Sequence, residues 1–167
     1  FIKSLELNSK FPKKIELLIY VDDDDKKSLE LHSNIIPIKI FSGKKLTMGG
    51  YNTFLQKKSS GNIIMLVNDD IVIKTKNWDV EVRNLNYKFN DQIYLAYPND
   101  LNKGRKLCTF PIISKKTCNK LVRPFPVEYS GAFIDLNIFD IFKRLEKFNM
   151  KKIIYLENVI FEHLHFR

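Results

Sequence analysis

Residues 63–67 form a short apolar run, Ile-Ile-Met-Leu-Val, preceded by Gly61 and stopped by the polar cluster Asn68-Asp69-Asp70. A run of this length between turn-forming residues reads as a strand buried on both faces. In an open α/β sheet, ligands bind beyond the carboxyl ends of the strands. Carboxylates placed there do not serve packing, because a buried charge is costly unless it is paired or bound to a metal. Oxygen donors of this kind suit a hard divalent cation such as Mg²⁺ or Mn²⁺. The competing reading is a surface turn, since Asn and Asp are also favoured turn residues.

Two further apolar runs end in the same manner. Residues 15–21 stop on the acids Asp22 to Asp25, and residues 159–161 lead into Glu162-His163-Leu164-His165. The last cluster holds two of the three histidines in the chain. In an extended segment His163 and His165 share a face, and imidazole is a common metal ligand.

Strand-like and helix-like stretches alternate around these runs. Residues 1–8 read as the end of a helix, with Ile2 and Leu5 on one face. Residues 15–21, 36–41, 63–67 and 71–73 read as strands, and 28–32 and 78–85 as helices. Gly49 and Gly50 precede a helix expected over 51–58. In the second half, 93–97 and 107–113 read as strands, Pro98, Pro111, Pro124 and Pro126 mark loops, and 136–148 is an amphipathic helix. Its stripe of Phe139, Phe142, Leu145 and Phe148 reads as core. Residues 153–156 and 159–161 read as two late strands. The alternation implies an α/β domain with a mostly parallel, mixed sheet flanked by helices.

The length fits a single domain, and no apolar run approaches what a bilayer span requires. Lys and Arg exceed Asp and Glu by 28 to 19, a net charge of +9. Such an excess favours nucleic acid, anionic lipid or phosphorylated ligands. It is mostly lysine, however, in a chain rich in Lys, Asn and Ile, and no RNA- or DNA-binding signature accompanies it. No nucleic-acid partner is therefore expected. Cys108 and Cys118 match no zinc spacing and read as reduced thiols of a cytoplasmic protein, with one disulfide left open and peripheral contact with a membrane not ruled against. The lack of a starting Met suggests that Phe1 is not the natural start.

The order of these landmarks resembles the glycosyltransferases of GT-A fold, closest to the inverting family-two type, with their Rossmann-like nucleotide-diphospho-sugar architecture. Those enzymes carry a strand ending in acids that hold the nucleobase, which falls here on Asp22 and Asp23. An Arg-Asn pair opens a following helix, matched by Tyr51-Asn52 with the Arg missing. A Gly, a short strand and an aspartate-any-aspartate motif follow, matched by Gly61 and Asn68-Asp69-Asp70. The resemblance implies that residues 1–90 bind a UDP- or GDP-sugar through Asp22, Asp23, Asn52, Asn68 and Asp69. It implies a Mn²⁺ or Mg²⁺ ion on Asp70 with His163 or His165, and residues 91–167 as the half that receives a saccharide or other hydroxyl acceptor. The family's general base sits at a helix start after a Gly-containing loop, which points to Asp135 after Ser130-Gly131. Asp135 also reads as a helix N-cap, and Asp140 is a second candidate further inside the helix. The family begins with a strand followed by a helix, and here the chain starts within that helix, so either the sequence is a fragment or the sheet is completed differently. A missing central strand would leave an exposed sheet edge, which opens the way to pairing or swapping with a second copy, a homo-oligomer. A degenerate or truncated transferase fold that binds without catalysis is the alternative reading, and a nucleic-acid-binding protein, prompted by the charge, is a further one.

Overall fold

The computed structural model describes residues 1–131 and 133–164. Helix α1 (Ile2–Asn8) leads through a 3-10 turn at Pro12–Lys14 into β1 (Leu17–Asp22). A second 3-10 turn (Lys26–Glu30) precedes β2 (Ile38–Gly43). Then come α2 (Met48–Lys58), β3 (Ile63–Met65), β4 (Ile71–Ile73), α3 (Trp78–Lys88), β5 (Leu95–Asn99), β6 (Ile112–Ser114), α4 (Lys115–Lys120), α5 (Ile134–Glu146) and β7 (Ile153–His163).

The α/β class stands, but the sheet is mixed rather than mostly parallel. β1 and β2 form a parallel pair, from Leu17 opposite Ile38 to Asp22 opposite Gly43. The remaining strands form a second sheet in the order β3-β6-β5-β7-β4. There, among the described residues, only β5 and β7 run parallel, while β3–β6, β5–β6 and β4–β7 are antiparallel. Connections explain the difference. Parallel neighbours need a long crossover, whereas the loop from β5 to β6 carries only a 3-10 turn at Gly104–Lys106 and brings the chain straight back.

Alternation along the strands divides the interior between two faces. Leu17, Ala96 and Ile112 join Leu5 of α1 and Trp78, Val82 and Leu85 of α3 in one core. Ile64, Leu95, Tyr97 and Ile113 face the other way, onto Ile134, Ile138 and Phe142 of α5. The buried face of α5 is therefore centred on Ile134, Ile138 and Phe142. Phe139 and Leu145 pack at its margin. Phe148, read from the sequence as part of the core stripe, lies beyond the helix and is 74% exposed.

Several local elements differ from expectation for identifiable reasons. The two late strands are one strand, β7, with a bulge where the register jumps from Leu156 opposite Pro98 to Ile160 opposite Asn99. Thr75 holds that bulge: its Oγ1 donates to Asn158 O (2.9 Å) and accepts from Ile160 N–H (2.8 Å). The glycines 49 and 50 lie inside α2 rather than before it, because Thr47 is the cap and accepts from Gly50 N–H at 3.0 Å. Residues 107–111 are not strand, and α4, unforeseen, starts on a Ser114 cap that accepts from Thr117 N–H at 2.8 Å. No helix among the described residues is long and apolar enough to cross a membrane.

Candidate functional site

Asp70 ends the segment between β3 and β4, and His163 ends β7. The antiparallel ladder sets Ile71 opposite His163, so the residue just before β4 falls beside the end of β7. Leu164 N–H closes the join on Asp70 O (2.8 Å). The side chains meet, with His163 Nε2 at 3.3 Å from Asp70 Oδ2. His163 is nearly enclosed, at 11% side-chain exposure, against 33% for Asp70. Phe110 packs edge-on against the imidazole at 5.2 Å between ring centroids. Asn68 and Asp69, by contrast, are exposed. His165 lies outside the described residues.

The alternation of β7 sends its neighbour elsewhere. Glu162 is buried and pairs with Lys74 Nζ at 2.8 Å. Behind His163, Asp100 is a residue that sequence reasoning missed. Its backbone O accepts from His163 N–H (3.2 Å). Its carboxylate accepts from the N–H groups of Asn102, Lys103 and Gly104 and from Thr109 Oγ1. Burial pushes this carboxyl up, but those bonds outweigh it and hold it below the usual carboxylate range. Asp100 thus fixes the loop between β5 and β6, to which the end of β7 is bonded through His163 N–H. The available signal was Asp followed four residues later by Gly104, which adopts a positive φ of 53°.

A second set of predicted residues gathers around β1 and α2. Asp22, at the end of β1, accepts from Tyr51 Oη at 2.5 Å. Tyr51 therefore occupies the position of the expected Arg with a hydroxyl, and that hydroxyl is engaged. Burial first, and then the bond to Asp22, raises the Tyr51 phenol above its ordinary value. Asp23 is exposed, anchored through its N–H to Gly43 O (2.9 Å). Asn52 lines a cavity between β1 and β3.

The start of α2 also meets the second half of the chain. Met48 and Gly49 N–H donate to Ser130 O and Tyr129 O (3.3 and 3.0 Å), and Thr47 and Thr53 hydroxyls donate to Val127 O and Phe125 O. The chain then turns into α5 at Phe133, which holds a left-handed φ of 81° and is the N-cap residue. Asp135 is accordingly in the first turn of α5 and is not its cap. Its Oδ1 accepts from Leu136 N–H (2.8 Å), and its backbone O accepts from Cys108 Sγ–H. Burial raises the Asp135 carboxyl above its ordinary value. Asp140 pairs with Arg144 on the exposed side of the helix. Arg105 is held by Glu157 at 2.8 Å and lies over the Tyr155 ring.

Cys108 and Cys118 are both free and buried. Among the described residues, no group of three or more His, Cys, Asp or Glu converges as a metal cluster. The Asp70–His163 pair offers one carboxylate and one imidazole, a donor set that suits Mn²⁺ and fits a bound ion in part. No family model matches the chain, and no curated protein matches it.

Proposed function

We propose that the chain is a glycosyltransferase of the GT-A kind, moving a sugar from a UDP- or GDP-sugar to an acceptor hydroxyl, with inversion at the anomeric carbon. The observation that carries the reading is the meeting of Asp70 and His163, drawn from opposite halves of the sequence to 3.3 Å. In this reading Asp70 and His163 would hold Mn²⁺ or Mg²⁺. When bound, the ion supplies Lewis-acid neutralisation of the leaving diphosphate. Asp22, Asp23 and Asn52 address the nucleoside, and Asn68 and Asp69, exposed beside the pair, address the ribose and diphosphate. Asp135 takes the proton of the acceptor hydroxyl, a role helped by the burial that strengthens it as a base. The test is calorimetric titration of UDP and of GDP, with and without Mn²⁺, into wild type and Asp70→Ala. Metal-dependent binding that the substitution abolishes is the expected result. No binding of either nucleotide by the folded chain refutes the reading.

A second reading, a transferase fold that binds without catalysis, is favoured by one observation: β1–β2 and the five-stranded sheet are separate. Metal-dependent nucleotide binding with no sugar transfer or donor hydrolysis would select it.

A further inference from the structure

The segment between α1 and β1 is pinned along α3 by bonds that leave its side chains outside. Trp78 Nε1–H donates to Ser9 Oγ (3.1 Å). The buried carboxylate of Asp79 accepts from Lys10 N–H (2.8 Å) and Phe11 N–H (3.0 Å). Arg83, one turn further along α3, donates from Nη2 to Lys14 O (3.1 Å). Held in this way, the segment presents Lys10, Phe11, Lys13 and Lys14 to solvent. Tyr87 follows Arg83 by one turn on the same face of α3 and is 84% exposed. Phe11, Lys13, Lys14, Arg83 and Tyr87 border the same cavity between β1 and β3, so they belong to one surface. Leu7, 70% exposed, precedes Phe11 by four residues and is therefore within about 14 Å of it.

This surface mixes apolar tips with cations. Phe11 is 40% exposed, and the ammonium groups of Lys10 and Lys14 stand 5.6 and 5.3 Å from its ring centroid. Three acids lie on this side. Asp79 is buried and bonded, Glu6 accepts from Ser33 Oγ, and Glu81 is exposed. The chemistry selects among partners. The core of a protein interface is depleted of lysine. Nucleic acid is held by arginine forks and by ring faces on which bases stack. Here lysines stand over the Phe11 ring, Arg83 is turned onto Lys14 O, and Leu7 has no ring to offer. An anionic lipid surface matches both components, since ammonium groups meet headgroup phosphates while apolar tips enter the boundary with the acyl chains.

We propose that this surface docks the protein on an anionic lipid bilayer, with Leu7, Phe11 and Tyr87 entering the headgroup layer and Lys10, Lys13 and Lys14 on lipid phosphates. Lysine suits the task, because its long stem lies along apolar surface while the ammonium group reaches the headgroups. Asp79 has already fixed the backbone of the segment, so docking orders little chain. A few apolar tips or a few lysines alone bind a bilayer weakly, and the two together give attachment that salt weakens. The inference does not rest on the glycosyltransferase reading.

The test is co-sedimentation of the chain with vesicles of phosphatidylcholine alone and of phosphatidylcholine with phosphatidylserine, at low and high salt. Binding is expected to the vesicles with phosphatidylserine and to fall as salt rises. Lys13→Gln with Lys14→Gln should weaken it about 30-fold. The same loss of charge at Lys143→Gln with Lys147→Gln on α5, which packs on the other face of the sheet, should change it less than about 3-fold. Phe11→Ser should weaken binding about 10-fold at unchanged charge. Tyr87→Ser, on a side chain almost wholly in solvent, should weaken it also and keeps this arm of the test if Phe11→Ser disturbs the fold. Four results overturn the proposal. The folded chain does not bind the vesicles. The α5 pair weakens binding as much as the Lys13 and Lys14 pair, so net charge alone is responsible. Neither Phe11→Ser, with its fold intact by circular dichroism, nor Tyr87→Ser changes binding. Or a mixed-sequence single-stranded oligonucleotide displaces the vesicles and is itself lost with Lys13→Gln and Lys14→Gln, which makes nucleic acid the occupant.

Discussion

Gly49→Ala tests the docking of α2 on the segment 125–131, the contact that brings the two halves of the chain together. In isolation the change favours the helix, because Ala is better than Gly in a helix interior by about 1 kcal/mol. Here, however, the new Cβ would lie 1.9 Å from Pro126 O, 2.7 Å from Pro126 C and 3.0 Å from Val127 Cα. These are backbone atoms and cannot step aside as a flexible side chain would. Relief requires α2 and residues 126–130 to separate, which stretches Gly49 N–H to Tyr129 O and Thr47 Oγ1 to Val127 O. Forcing a methyl into a packed contact costs about 1–3 kcal/mol, and each weakened hydrogen bond adds up to about 1 kcal/mol. Setting the helix gain against these leaves a net loss of about 2 kcal/mol. For a domain of this size that corresponds to a fall in Tm of about 4–8 °C. Urea unfolding followed by circular dichroism measures it. Gly131→Ala is the control: its Cβ meets nothing within 4 Å, and the change stays within about 0.5 kcal/mol. A Gly49→Ala protein as stable as wild type, or more stable, would refute the argument, since helix propensity would then have prevailed over the contact with Pro126.

Glu16 is pushed up by burial, but the bonds from Lys39, Ser60 and Gly61 outweigh this and hold its carboxyl below the ordinary value. Its folded value is the lower one, so its contribution is complete above the unfolded value and is lost as pH falls through the folded one. Glu16→Gln should therefore lower stability at pH 7 by roughly 1 kcal/mol and flatten the acid limb of the urea-midpoint profile; an unchanged limb would count against the bridge. Cys118 is pushed up to about 11 by burial, and burial raises Cys108 further. Neither thiol should react with a disulfide reagent at pH 8 in the native state, and both should react in urea; fast native reaction of either contradicts its enclosure. Asp135 has its carboxyl raised by burial, so the folded state holds the proton more tightly and stability falls as pH rises from the ordinary value through the raised one. Asp135→Asn should thus be more stable than wild type at pH 7 but not at pH 3; lower stability at both pH values would show a structural role instead.

What could be read from the sequence depended on whether a signal was local. The run 63–67 and its polar stop locate β3 and the segment before β4, because apolar strand and turn chemistry are both contiguous features. That Asp70 meets His163 was legible only through the family likeness. In structural terms it depends on an antiparallel ladder between β4 and β7, and nothing in three residues such as Ile71–Ile73 states which strand they pair with. Helix α5 was found by its period, but its buried centre was misplaced. Phe142 of the expected stripe is fully buried, but the aromatic pattern drew the stripe toward Phe148 and away from Ile134 and Ile138, which are buried with it. The glycines of α2 misled for a different reason. Glycine inside a helix is ordinarily a weakness, and here one of them is required by a neighbour almost 80 positions away, Pro126, which no helical window contains.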